Sequence, residues 1–241
     1  MDVYWLEQSV ADVPARDDWL SPGEAERLRS MRFEKRRSDW LLGRWTAKCA
    51  LAAHLNMSLA HNALAAIELC PAPSGAPEPL IEGRPADATI SLSHRGGVAM
   101  CALAATGVML GCDLELAEPR SQEFVADYFT EEEQRLALRA HGLERDVLTA
   151  LLWSAKESAL KAMSLGLMID TRALTVHPGA PSECEWQPVT VSSAYDQNFQ
   201  GWWRYSGGAV RTVLAAPAPS RPVRIKVTEF AVSGAQTQRL N

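Results

Sequence analysis

Disulfide and structural zinc chemistry are the first things this sequence excludes. Its five cysteines, at 49, 70, 101, 112 and 184, are odd in number and contain no Cys-x-x-Cys pair. Neither a disulfide framework nor a structural zinc site is expected, and most read as small buried hydrophobes. No stretch approaches the roughly 20 apolar residues that cross a bilayer. Met1-Asp-Val-Tyr-Trp-Leu-Glu7 has no basic segment leading into an apolar run, so a soluble cytoplasmic protein without a membrane partner is expected. A phosphate loop, a Gly-x-Gly-x-x-Gly turn and a Gly-x-Ser-x-Gly elbow are all missing. Nucleoside triphosphatases, nicotinamide enzymes and serine hydrolases lose their usual signatures with them. The net charge of -5 argues against a protein that coats nucleic acid.

What is present is a globular composition, 47% hydrophobic and 22% charged, with eight tryptophans in 241 residues. Residues 2–6 suit a short strand. Ser21-Pro22-Gly23-Glu24 has the features of a helix start, with a serine cap, proline in the first turn and glutamate three residues on. A long amphipathic helix follows to about Leu55, with Leu41, Trp45, Lys48, Ala52 and Leu55 at spacings of three and four. Residues 71–88 are rich in Pro, Ala and Gly and read as a loop. Thr89–His94, Val98–Ala104 and Val108–Leu116 read as a meander of three antiparallel strands. Helices are expected at about 121–128, 130–141 and 144–162, and strands at 172–177, 183–187, 200–206, 209–216 and 223–230. Gly207-Gly208 reads as a hairpin turn. The order fits an α+β protein of two halves, 1–107 and 108–241, with no strong sequence repeat between them.

Three groups of residues carry chemistry. On a helix, Trp153, Glu157 and Lys161 share one stripe with Lys156 beside it. A carboxylate flanked by ammonium groups suits anionic substrates, and it is also what a surface Glu–Lys pair looks like. Asp113 and Glu115 alternate with Cys112, Leu114 and Leu116, so a strand sets both carboxylates on one face. They repel unless a cation or a proton offsets them, and hard oxygens favour Mg²⁺. Taken alone, Asp-x-Glu is also ordinary on a strand. Lys35, Arg36, Arg37, Arg44 and Lys48 gather on the long helix, as a solvated face or as an anion site. Ser93-His94 before Arg95-Gly-Gly97 ends a strand where hydroxyl, imidazole and turn amides can grip a diphosphate.

Together, Gly111-Cys-Asp113-Leu-Glu115 and Trp153-Ser-Ala-Lys156-Glu157-Ser-Ala-Leu-Lys161 resemble the two signature motifs of the 4'-phosphopantetheinyl transferases. Ser91-Leu-Ser93-His94-Arg-Gly, the helix around Leu42-Gly43-Arg44 and Phe129-Thr-Glu-Glu-Glu133 look like further motifs of the Sfp-type branch. The resemblance covers roughly residues 20–165. It implies a pseudo-two-fold monomer of two similar α+β halves with the active site in the cleft between them. It also implies Mg²⁺-dependent transfer of phosphopantetheine from coenzyme A to a serine of an apo acyl or peptidyl carrier protein, releasing 3',5'-ADP.

Carried over residue by residue, the resemblance makes Asp113, Glu115 and Glu157 the Mg²⁺ ligands, with Glu157 also the base for the acceptor hydroxyl. Lys161 would stabilise or protonate the departing nucleotide, Lys156 would meet phosphate, and Ser93 and His94 would grip the diphosphate. Arg37, Arg44 and Arg84 fall where the family places bases for the 3'-phosphate and adenine. The same residues would also serve a non-catalytic coenzyme A- or phosphate-binding homologue, or a Mg²⁺-dependent phosphoesterase.

Overall fold

The computed structural model describes residues 1–164, 169–179, 185–195 and 197–227. Its elements run Tyr4–Ser9 (β1), Pro22–Ser30 (α1), Glu34–His54 (α2), His61–Ala65 (α3), Ile67–Pro71 (β2), Pro77–Ile81 (β3), Arg84–Pro85 (β4), Thr89–Arg95 (β5), Val98–Ala104 (β6) and Met109–Leu116 (β7). There follow Gln122–Tyr128 (α4), Glu131–Arg139 (α5), Gly142–Ala162 (α6), Leu174–Pro178 (β8), Gln187–Ser193 (β9), Phe199–Ser206 (β10), Ala209–Ala216 (β11) and Val223–Arg224 (β12). The fold is α+β.

A four-stranded sheet runs in the order β12-β1-β6-β5 and a five-stranded sheet in the order β7-β11-β10-β9-β8. They pack face to face through Val3, Trp5, Met100 and Ala102 on one side and Leu110, Cys112, Val213 and Ala215 on the other. The outer face of the first sheet, with Leu6, Cys101 and Leu103, is covered by α2 through Ala47, Ala50 and Leu51. The outer face of the second, with Phe199 and Leu214, is covered by α6 through Leu152, Ala155 and Ala159. Two-residue periodicity in the strands thus divides three apolar layers between two helices.

The meander expected over 89–116 is not formed. β5 and β6 pair, but β7 opens the second sheet, where it pairs with β11. It lies beside β5 without a ladder, and the Cys112 N–H donates to the Ser91 hydroxyl at 2.9 Å instead. The expected loop 71–88 holds β3 and β4, which pair with β2 in a small third sheet. Pro77, Pro79 and Pro85 mask it in the sequence; β3 is the middle strand, but β4 pairs with it at Leu80 and Ile81, past Pro77 and Pro79, so the missing N–H groups break no ladder on that side. The strand expected at 183–187 begins at Gln187, where that range ends, and residues 183–184 lie outside the described ones. Of the last expected strand, 223–230, β12 occupies two residues; 228–230 lie outside the described residues. β12 runs parallel to β1, with Val223 N–H donating to Val3 O at 2.9 Å and Ile225 N–H to Trp5 O at 2.8 Å.

One packing device occurs twice. Ser21 caps α1 and Glu24 closes the capping box; Glu24 is buried, accepts from Leu69 N–H and pairs with Lys48 of α2. Lys48 also donates to the carbonyls of Trp19 and Leu64. Thr130 and Glu133 form the same box at α5; Glu133 accepts from Val176 N–H and pairs with Lys156 of α6 at 2.7 Å. Lys156 donates to the carbonyls of Tyr128, Thr171 and Leu174. Trp45 stands edge-on to Trp19 at 5.1 Å, and Trp153 stands edge-on to Tyr128 at 5.0 Å. The sequence does carry a repeat at this point: Trp45-Thr-Ala-Lys48 and Trp153-Ser-Ala-Lys156. It is too short to notice without the contacts.

Candidate functional site

β7 presents its odd-numbered residues to α6. At Gly111 the helix comes so close that a Cβ would lie 1.7 Å from Ser158 O, so only glycine permits the approach. Hydroxyls fix the helix laterally, with Thr212 Oγ1 2.9 Å from Ser154 Oγ and 2.6 Å from Ser158 Oγ. Against this seam Lys161 Nζ donates to Asp113 Oδ1 at 2.8 Å and to Cys112 O at 3.0 Å. From β5, across the boundary between the sheets, Ser93 Oγ donates to the same Asp113 oxygen at 2.8 Å. Asp113 therefore joins the strand, the helix and the first sheet.

The other two carboxylates act on this centre electrostatically. Burial pushes the Glu157 carboxyl above its ordinary range and Asp113 adds to the rise, while Lys161 opposes it. Burial and Asp113 likewise raise Glu115, against Arg120 and Arg95. Burial alone would lower Lys161, but Asp113, Cys112 and Glu157 outweigh it and hold the ammonium form. Three acids beside one lysine, with Glu115 and Glu157 both raised by burial and by Asp113, make an excess of negative charge, the condition a divalent cation relieves. Asp113 Oδ2 is buried and has no hydrogen-bond partner, which leaves a free hard-oxygen ligand where Mg²⁺ is expected. The donor set fits that ion. It is not gathered into a ready-made cage, since no three His, Cys, Asp or Glu side chains among the described residues are placed to share a metal. Glu115 instead meets Arg120 at 2.9 Å.

Arg44, Ser93 and His94 share a cavity of about 260 Å³ with Trp40 and Gly43. Arg44 stacks over Trp40 at 4.8 Å and lies 3.5 Å from Glu24, and its Nε has no hydrogen-bond partner. A larger cavity of about 600 Å³ lies between β3, β5 and the end of α6, with Lys161 in its wall. Arg84 is exposed on β4. Arg37 is turned to the Leu28 carbonyl.

Two expectations are corrected. Lys156 does not face phosphate; it is fully buried and committed to Glu133 and three carbonyls. Lys48 likewise leaves the basic face of α2 for Glu24. In each case the partner is far away in sequence, so helical spacing alone could not reveal it. Conversely, Arg95 and Arg120, both ion-paired to Glu115, escaped the sequence reading, although Arg95 directly follows Ser93-His94. Cys49, Cys101 and Cys112 are free and buried, as their spacing suggested. Among the described residues no helix is long and apolar enough to cross a membrane.

No curated protein matches the chain. Residues 109–205, which carry Asp113, Glu115, Glu157 and Lys161, match the family model of the 4'-phosphopantetheinyl transferase superfamily.

Proposed function

We propose that this chain is an Sfp-type 4'-phosphopantetheinyl transferase, which moves the phosphopantetheine arm of coenzyme A onto a serine of an apo acyl or peptidyl carrier protein. The observation that carries this reading is the junction at Asp113, where Lys161 and Ser93 meet one carboxylate oxygen. It ties together three of the motifs within and beside the matched segment. On this reading the halves 1–107 and 108–241 are related by a pseudo-two-fold axis, with the active site in the cleft between them and the molecule acting as a monomer. The doubled Lys–Glu device supports that symmetry.

The acceptor serine oxygen attacks the phosphorus that bears pantetheine, and the bond from that phosphorus to the bridging oxygen breaks, releasing 3',5'-ADP. Glu157 takes the hydroxyl proton. Lys161 neutralises the charge that develops on the leaving phosphate and supplies its proton. Asp113, Glu115 and Glu157 would hold Mg²⁺, which would supply charge neutralisation for the diphosphate. Ser93 and His94 grip the diphosphate, and Arg37, Arg44 and Arg84 take the 3'-phosphate and adenine end. Positioning and charge neutralisation, not a covalent enzyme intermediate, carry such a transfer.

The test is to incubate the protein with coenzyme A, Mg²⁺ and a panel of apo carrier proteins, and to weigh the carriers. A gain of one phosphopantetheine, abolished by chelator, is the expected result. Unchanged carriers, with protein that still binds coenzyme A, would favour a non-catalytic binding homologue. Release of product without any carrier would make it a phosphoesterase.

A further inference from the structure

On the molecule's other flank a second cavity, of about 330 Å³, is lined by Trp5, Trp186, Arg204, Arg221 and Arg224, with Glu185 at its edge. That size lies within the range of small-molecule sites. None of these residues is used by the proposed transferase. The guanidinium of Arg204 lies over Trp5 at 5.2 Å and over Trp186 at 5.7 Å, and that of Arg224 lies over Trp5 at 5.4 Å. Arg221 stacks on Trp202 at 5.5 Å. Stacking on aromatic faces fixes the planes of the guanidinium groups and leaves their N–H edges free to bond.

The partners for those edges are few. Among the described residues the only carboxylate paired to these arginines is Glu185, 2.6 Å from Arg204 Nη2 and itself 64% exposed. Arg221 and Arg224 have no ion pair among the described residues. Two buried donors on the cavity residues, Trp5 Nε1 and Arg204 Nε, have no hydrogen-bond partner. A buried N–H is seldom left in this state. Burial depresses the Arg204 guanidinium, with Arg211 and Arg224 adding to the effect against Glu185 and Glu7.

The structure assigns this cavity, we infer, as a binding site for a phosphomonoester, separate from the coenzyme A site. A single carboxylate occupies one arginine fork, as Glu185 does, and leaves two forks and two orphaned donors. A phosphomonoester brings nearly two negative charges and three acceptor oxygens at neutral pH, and the tryptophan walls can receive its organic body. Glu185 then acts as an internal competitor that swings outward when the ligand binds.

Calorimetric titration of the full chain with phenyl phosphate, with inorganic phosphate as a second arm, tests this directly. With coenzyme A present in excess to fill the Arg44 site, saturable binding at one site is expected. Because Arg221 and Arg224 are exposed, an Arg221→Ala/Arg224→Ala variant keeps its fold, and removing charge-assisted bonds weakens binding roughly tenfold or more. Glu185→Gln tightens it, while Arg44→Ala leaves it unchanged. Absence of saturable binding, or binding lost with Arg44 and retained without Arg221 and Arg224, overturns the assignment. Tighter binding of phenyl phosphate than of inorganic phosphate supports an organic body against the tryptophans; equal binding shows instead that phosphate alone is read and overturns the ester. None of these outcomes depends on whether the transferase reading holds.

Discussion

The Lys48–Glu24 and Lys156–Glu133 pairs are the same device built twice, yet their surroundings diverge within one helical turn. After Lys156 the helix carries Glu157 and Lys161; at the matching distances after Lys48 it carries Cys49 and Ala53. Counted from the Gly-Gly turns, Thr212 corresponds to Cys101. Asp113 pairs with the first and Leu6 with the second, so Leu6 stands where Asp113 does. Around the first pair the positions matching Asp113 and Glu157 hold the apolar Leu6 and Cys49, and the one matching Glu115 holds the uncharged Gln8. From the first sheet the Asp113 junction receives Ser93. The buried Lys–Glu device is thus built beside both long helices, whereas Asp113, Glu115 and Glu157 gather beside α6.

The largest effect that would sharpen this contrast lies at Glu157. Glu157→Gln should lower carrier modification by roughly 10²–10⁴-fold, whereas Cys49→Ala at the matching position should leave it intact. The same Gln variant should melt higher than the parent at pH 8. The folded state raises the Glu157 pKa, so it holds the proton more tightly than the unfolded chain does. That contribution is favourable at low pH and turns against folding as pH rises through the carboxylate range. The gap in melting temperature should thus close between pH 8 and pH 4. A Gln variant that melts lower at pH 8 would contradict the crowding of acids at this site.

Next in size are the two lysines. Lys48→Met and Lys156→Met each strand a buried glutamate, and each should cost about 3–5 kcal/mol in urea unfolding. Adding Glu133→Leu to Lys156→Met should recover most of the loss. If Lys156→Met kept full stability but lost turnover, Lys156 would belong to the chemistry and the equivalence of the two pairs would fail. The smallest effect lies at the caps. Ser21→Ala and Thr130→Ala should each cost about 1 kcal/mol, and a marked inequality in their urea midpoints would show that one half relies on its box more than the other.

Local signals made much of this legible in the sequence. Ser21–Glu24 and Thr130–Glu133 mark the starts of their helices because a capping box is complete within four residues. The alternation at 112–116 separates Asp113 and Glu115 from the apolar positions, and β7 keeps that separation. What stayed hidden was non-local. β7 is recruited by a strand almost a hundred residues later, and nothing at 108–116 announces that partner. Lys156 sits inside a functional-looking motif, but its role is decided by Glu133, a residue of a separate helix. The prolines of 77–85 resembled a loop, although Pro77 and Pro79 lie on β3, the middle strand of the small third sheet.

The pairing of β12 with β1 joins residues from near the two ends of the described chain. During synthesis the outer edge of β1 emerges first and waits, with its backbone donors and acceptors open, until residues 220–225 have been made. Loop closure over that span comes late and raises the contact order of the first sheet. An open edge strand recruits other chains, so the nascent protein is exposed to mispairing there until residues 220–225 have been made. A chain cut short ahead of Ser220 would leave that edge bare for good, even though every residue of the Asp113 junction would already be in place.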